Sequence, residues 1–211
     1  MTKFFNRVSI ALFVLILFAS VSSAATSRDE LKRMGIFISN FTEQGLYNFD
    51  IEEYGDDDEV IHLGDPSNMA ELIRFGIAHN VINRSKSTVR KCTRRGCDYG
   101  TSTMTGKSVA ESVRKYFDMG IKNQSVMGDA PEAFYDGESY HFEPNQWRPE
   151  TVYYAEVQEV SGRRGIITMT GELYNLHRKS DRPATFTAEA KAYRWDKKDT
   201  WAILSLRVDW R

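Results

Sequence analysis

The chain has two cysteines, Cys92 and Cys97, and their type and spacing point most directly to chemistry. Gly96 lies between them and supplies the backbone flexibility that a small ring needs. In the oxidising compartments that exported proteins reach, such a pair favours a disulfide. A metal site is a weaker alternative because structural zinc takes four ligands, and the spacing is not the C-x-x-C of thioredoxin-like centres. We predict a Cys92–Cys97 disulfide that shapes a local loop.

Basic residues surround this predicted ring: Arg84, Lys86, Arg90, Lys91, Arg94 and Arg95. We take four of them as candidate partner-binding residues, namely Arg90, Lys91, Arg94 and Arg95, because such groups bind carboxylates and phosphates. The default interpretation is a solvated basic loop that pairs with the acidic segment Asp50–Glu59, because charge runs are usually solvated faces. That segment lacks the alternating register that wraps one calcium ion. We predict no metal site, and calcium binding by this segment stays open.

The four histidines, which are His62, His79, His141 and His177, show no metal-ligand spacing. His79 lies beside an apolar helical stripe, which favours a packed ring with a hydrogen bond. His141 lies between two aromatic residues and faces either a pocket or solvent. The sequence contains no G-x-S-x-G, no P-loop and no dinucleotide-binding glycine pattern. We therefore predict no catalytic residues and no cofactor.

The first 25 residues indicate where the protein works. Lys3 and Arg7 precede the apolar run Val8–Ala19, and small residues follow up to Ala25. This order is typical of a secretory signal peptide, and the run is shorter than the roughly 20 residues that span a bilayer. We predict a signal peptide over 1–25 and a single domain over 26–211. The protein is then periplasmic or secreted, without stable membrane insertion after processing.

The charge of the chain is nearly balanced. It carries 28 Lys and Arg against 29 Asp and Glu, which gives a net charge of −1. Such a balance gives no reason to expect a nucleic acid as partner. The expected partners are a protein, an envelope polymer or a small-molecule ligand.

Helical periodicity dominates the first half of the predicted domain. Ser27 and Glu30 form a capping box ahead of a helix from about Arg28 to Gln44. Asp65-Pro66 starts a second helix, because proline is favoured in the first turn. A second capping box, which begins at Ser108, predicts the start of a third helix.

Alternation with a period of two dominates the second half. Residues Phe134–Phe142 contain an Asp-Gly turn between aromatic arms, which is typical of a hairpin. Four strands follow, at Thr151–Val160, Ile167–Leu173, Ala184–Trp195 and Ala202–Trp210. Their short connections predict an antiparallel meander. The fold class is therefore α+β, with N-terminal helices packed on a curved antiparallel sheet made of a hairpin and a four-strand meander.

This order of elements resembles the cone-shaped nuclear-transport-factor-like superfamily, with its cystatin-like curved sheet wrapped around helices. The resemblance implies a cavity between helices and sheet. In the enzymes of that superfamily an Asp or an Asp–His pair lines the cavity as a general base. This sequence offers His141, Glu172, Tyr174 and Glu189 on strands, and none of them matches a motif of the superfamily.

Two functions follow from these observations. The first is non-catalytic binding of a small ligand or of an envelope or protein partner. The second is a cavity enzyme that performs acid–base chemistry, as in isomerases and cyclases, on a small apolar substrate. Without a catalytic motif, the sequence favours the first.

Overall fold

The computed structural model describes residues 26–52, 55, 59–93, 97–128 and 131–211. The predicted signal peptide lies outside these residues, as do 53–54 and 56–58 of the acidic segment. In the part of the chain that is described, no helix is long and apolar enough to cross a membrane. The signal peptide and the division into one domain remain predictions.

Four α-helices form in the described residues, and all precede the long strands. They are α1 (Arg28–Thr42), α2 (Met69–Asn83), the single turn α3 (Ser85–Thr88) and α4 (Gly106–Phe117). The three longer helices occur where the periodicity predicts them. A 3₁₀ turn over Pro66–Asn68 leads into α2.

The helix caps show where sequence reasoning was right and where it was wrong. Ser27 accepts a hydrogen bond from the Glu30 N–H, which confirms the first capping box. The predicted cap at Ser108 is wrong, because α4 begins three residues earlier and its N-cap is Thr105. The Thr105 hydroxyl accepts from the Ser108 N–H at 3.2 Å, so Ser108 lies in the first turn.

Strands form two sheets. The large sheet has the order β2-β1-β11-β10-β9-β8 and contains β1 (Phe49–Asp50), β2 (Ile61–His62), β8 (Tyr153–Arg163), β9 (Ile166–Asn175), β10 (Ala184–Trp195) and β11 (Lys198–Trp210). The small sheet has the order β3-β4-β7-β6-β5 and contains β3 (Arg90–Lys91), β4 (Ser102–Thr105), β5 (Val126–Met127), β6 (Pro131–Tyr135) and β7 (Ser139–Phe142).

The α+β class, the hairpin and the four-strand meander are confirmed. Strands β8 to β11 are antiparallel to their sequence neighbours, as the short connections predict. The hairpin β6–β7 differs in one respect, because it belongs to the small sheet rather than to the sheet of the meander. A 3₁₀ turn over Pro144–Trp147 separates β7 from β8. The two sheets therefore pack against a common pair of helices, α2 and α4.

Two apolar clusters form the core. The larger one lies between the helices and the large sheet and includes the aromatic residues Phe37, Phe41, Phe49, Phe75, Phe117 and Phe186. The smaller one joins α2 and α4 to the small sheet through residues such as Ile73, Ile77, Val109, Tyr140 and Phe142. Since α2 and α4 contribute to both clusters, they tie the two sheets together. The close approach of these helices requires Gly76, where a Cβ atom would lie 2.6 Å from Val109 Cγ1.

Helix α1 runs along the outer edge of β8. The Ser39 hydroxyl accepts the Ala155 N–H at 2.9 Å, and the Thr42 hydroxyl donates to the Tyr153 carbonyl at 2.8 Å. The helix approaches closely enough that a Cβ atom on Gly35 would lie 2.8 Å from the Ala155 carbonyl oxygen. Side chains of α1 thus satisfy edge groups of β8 that no neighbouring strand pairs.

Candidate functional site

The structure contains the predicted Cys92–Cys97 disulfide. Arg90 and Lys91 form the exposed strand β3 immediately before Cys92. Arg94 and Arg95 lie outside the described residues. The structure therefore confirms the ring, while its role in partner binding remains a prediction.

Between the helices and the large sheet, where the resemblance implies a cavity, the aromatic residues of the larger cluster pack against one another. A concavity of about 820 Å³ lies at the edge of this layer, between α1 and the strands β8 and β9. None of the four strand residues considered as bases belongs to that cluster. Glu172 hydrogen-bonds with Arg211, Tyr174 stacks on Tyr154, and Glu189 is exposed. His141 lies in the small sheet.

A different concavity opens between α2, α4 and the β10–β11 turn, and we call it the helix pocket. Its volume is about 750 Å³, and its lining consists of His79, Arg84, Glu111, Ser112, Lys115, Trp195, Asp196, Lys198, Asp199 and Thr200. His79 and Ser112 are buried and form its inner end, whereas Lys198, Asp196 and Asp199 are exposed at the outer end. Close packing of α2 against α4 fixes the inner end.

The orientation of His79 is set by a short chain of polar groups. The Asn83 amide donates to the Glu43 carboxyl and also lies 3.3 Å from His79 Nδ1. Because the amide nitrogen can only donate, Nδ1 accepts and the imidazole proton is on Nε2. Among the described residues Nε2 has no hydrogen-bond partner. The ring therefore offers an N–H donor at the inner end of the helix pocket.

Aromatic rings hold His79 in place. The imidazole stacks on Phe75, with ring centroids 5.8 Å apart, and meets the Tyr116 ring edge-on at 4.8 Å. The Tyr116 hydroxyl donates to Asn40 Oδ1 at 3.0 Å and accepts from Lys115 Nζ at 3.1 Å. Side chains from α1, α2 and α4 thus meet in one network.

Three cations converge on the helix pocket. Arg84 comes from the end of α2, Lys115 from α4 and Lys198 from the start of β11. No carboxylate of the described residues lies within the 4.0 Å of an ion pair from any of them. The acid Glu111 on the same lining pairs instead with Lys107, at 3.8 Å. The three positive charges are therefore not compensated by direct ion pairs.

The ionisable groups of this region have shifted pKa values. Burial, together with the charges of Lys115 and Arg84, lowers the pKa of His79 from 6.5 to about 3. Burial and the charges of Arg84 and Lys198 also lower the pKa of Lys115. Burial raises the pKa of Glu43, against the opposing hydrogen bond from Asn83. Shifted groups that gather around a concavity mark it as a candidate site.

A second cleft, of about 520 Å³, lies on the other side of α2 and is lined in part by Leu46, Phe75 and Trp147. Its charged residues satisfy each other. Arg74 hydrogen-bonds with Glu132 through Nε at 2.8 Å and also pairs with Glu71. This mutual pairing leaves the cleft without the uncompensated cations that distinguish the helix pocket.

Sequence reasoning predicted the buried, hydrogen-bonded His79 and missed the rest of this site. Glu43 directly follows α1, Asn83 ends α2 and Lys115 lies on α4, each as a single polar residue without a spacing pattern. The sequence contains one signal for this site, namely Glu43, a charged residue at the end of the apolar stripe of α1.

Comparison with protein-family models, curated proteins and solved structures finds no match for this chain. The resemblance to the nuclear-transport-factor-like superfamily therefore remains a prediction from the order of elements.

Proposed function

We propose that this protein binds a small organic anion, with a carboxylate or a phosphate group, in the helix pocket. The observation that carries the proposal is the convergence of Arg84, Lys115 and Lys198 without a carboxylate partner among the described residues. Like charges held near one another raise the free energy of the empty site, and a bound anion relieves that repulsion.

The arrangement of the lining limits the ligand. The inner end offers the donors Lys115 Nζ, His79 Nε2 and the Ser112 hydroxyl, whereas Asp196 and Asp199 lie with Lys198 at the exposed outer end. An anionic group is therefore favoured at the inner end, away from these two carboxylates. Such a distribution suits a ligand whose negative charge is confined to one end, and Trp195 offers an apolar surface for the remainder.

The state of His79 supports binding rather than proton abstraction. A general base needs a free lone pair near the substrate. The lone pair of His79 Nδ1 faces the Asn83 amide, and the remaining ring nitrogen carries the proton. The imidazole can therefore donate a hydrogen bond to an anion, and it lacks an accessible basic nitrogen.

The test measures thermal unfolding of the protein with inorganic phosphate, acetate, benzoate and phenyl phosphate. We expect a concentration-dependent rise in Tm for at least one organic anion, because a ligand that binds only the folded state stabilises it. Lys115→Met and Arg84→Met should each weaken the apparent affinity by about tenfold or more, as loss of a charge-assisted contact does. Lys122→Met, which removes an exposed lysine outside the pocket, is the matched control.

The proposal fails if none of the four anions raises the Tm. It also fails if Lys115→Met and Arg84→Met bind as tightly as Lys122→Met, because the anion then binds elsewhere. The increase in Tm should diminish with added sodium chloride, since salt screens exposed charges such as Arg84 and Lys198.

A further inference from the structure

The disulfide contacts a buried histidine that the proposed ligand site does not use. His141 Nδ1 lies 3.4 Å from Cys92 Sγ, and His141 Nε2 lies 2.8 Å from Asp136 Oδ2. The histidine is only 1% exposed, so both polar contacts are shielded from water. The imidazole therefore contacts a sulfur atom through one ring nitrogen and a carboxylate through the other.

Asp136 is held as a carboxylate that can only accept hydrogen bonds. Its Oδ1 atom accepts the N–H groups of Glu138 and Ser139, at 2.9 and 2.7 Å. These bonds and the contact with His141, which is the largest cause, lower the pKa of Asp136 to about 2. The carboxylate therefore accepts a hydrogen bond from the Nε2–H of His141, and the opposite nitrogen, Nδ1, faces the sulfur of Cys92.

The two sulfur-bearing residues differ in their access to solvent. Cys92 is buried, with 9% of its surface exposed, whereas Cys97 is exposed. A pocket of about 280 Å³ adjoins Cys92 and His141 and is also lined by Arg90 and Lys91. An external thiol therefore reaches Cys97 more readily, while the buried sulfur of Cys92 has the imidazole of His141 beside it.

We propose that the Cys92–Cys97 disulfide undergoes thiol–disulfide exchange, with Cys92 as the leaving group that His141 and Asp136 stabilise. A disulfide exchanges faster when the departing thiol has a low pKa, and an imidazolium neighbour lowers a thiol pKa. The co-reactant is an external thiol, and the Cys92–Cys97 disulfide accepts electrons from it.

The exchange balances in two steps. A thiolate attacks Cys97 Sγ, so a new S–S bond forms, the Cys97–Cys92 bond breaks and the electron pair stays on Cys92. His141 Nδ1 takes up a proton from solvent, and the resulting N–H donates a hydrogen bond to the new Cys92 thiolate. A second thiolate then attacks the external sulfur of the mixed disulfide and releases Cys97 as a thiolate. Two external thiols are oxidised to one disulfide, and the protein disulfide gains two electrons.

The first experiment follows the reduction of the folded protein by dithiothreitol, with alkylation and mass spectrometry to count free thiols. We expect His141→Asn to slow reduction by about tenfold or more, because the leaving thiolate loses its imidazolium partner. His62→Asn is the matched control, since it breaks another His–Asp pair, His62 with Asp50 at 2.8 Å, in the large sheet. Equal rates for His141→Asn and the unchanged protein would overturn the proposal.

A second measurement does not require a substitution of the buried histidine. In Cys97→Ser the remaining thiol is Cys92, and its rate of alkylation by iodoacetamide between pH 5 and pH 10 reports its pKa. The charged and titratable groups around that thiol are His141, Asp136, Glu138, Arg90 and Lys91. We expect a pKa clearly below the roughly 8.5 of a free cysteine. A value at or above that reference would also refute the proposal.

The exchange and the anion site can fail independently. The thiol measurements use no anion, and the anion measurements leave the disulfide intact. The arginine and lysine residues of the helix pocket lie at the C-cap of α2, on α4 and on β11, whereas Cys92, Asp136 and His141 lie in the small sheet and its loops.

Discussion

Two buried histidines, His79 in the helix pocket and His141 in the small sheet, have opposite surroundings. They are 3% and 1% exposed, so both are shielded from water. The polar neighbour of His79 is the neutral amide of Asn83, and the charges of Lys115 and Arg84 help to lower the pKa of His79. The neighbour of His141 is the carboxylate of Asp136. Burial alone therefore does not decide what a histidine can do, because the adjacent charge decides whether its protonated form is tolerated.

The largest expected effect tests the neutral histidine. Because the pKa of His79 falls from 6.5 to about 3 on folding, the unfolded chain binds a proton between these values that the folded chain does not. The free energy of unfolding should therefore fall as the pH drops below 6.5, by about 3 kcal/mol at pH 4 from this residue. Urea unfolding of His79→Leu from pH 7 to pH 4 should lack that part of the decline. His177→Leu, at an exposed histidine, is the control. A variant at position 79 with an unchanged pH profile would mean that His79 is protonated in the folded protein.

A smaller effect is expected at the disulfide that adjoins the other histidine, His141. Replacing both Cys92 and Cys97 with Ser opens a ring of sequence separation 5. The chain-entropy relation gives a loss of about 2 kcal/mol for a ring of this size. Far-UV circular dichroism should stay the same, because the two apolar clusters do not depend on the ring. Global unfolding of the double variant at 25 °C would show that the disulfide holds more than its own loop.

The smallest effect concerns Glu43, the acid that Asn83 links to the neutral histidine. The pKa of Glu43 is raised on folding, so the stability that it contributes is complete below its unfolded pKa of 4.5 and is lost as the pH rises through the folded value. Glu43→Gln keeps an acceptor for Asn83 and removes the buried charge. We expect the variant to be more stable at pH 7, by about 1.4 kcal/mol for each unit of pKa shift, and equal in stability below pH 4. Lower stability at pH 7 would indicate that the carboxylate is favourably paired in the folded protein.

The sequence predicts the elements of this fold better than it predicts their contacts. Ser27 and the Asp-Gly turn before Ser139 are local signals, and the structure confirms both of them. The strict alternation predicted along β11 is wrong, because the register shifts at Leu204 and Ile203 therefore joins Leu206 in the core. The N-cap Thr105 was missed because the segment contains two hydroxyl residues that could cap the helix, Thr105 and Ser108. The choice between them depends on the tertiary position of the preceding strand β4.

The candidate site was less predictable because it depends on contacts across the chain. Glu43 and Asn83 are 40 positions apart, and Cys92 and His141 are 49 apart. Neither pair shows a motif, and each requires the packing of separate elements. Only the Cys92–Cys97 pair, which is close in sequence, could be found from spacing.

The contact of α1 with β8 has a consequence for how these molecules behave at high concentration. An unpaired strand edge is a template on which a second chain can add a strand, and such addition leads to aggregates. At Tyr153 and Ala155 the edge is blocked by hydroxyls of Thr42 and Ser39. The helix thus protects the protein against self-association, and it does so with two polar side chains that an apolar core would not require.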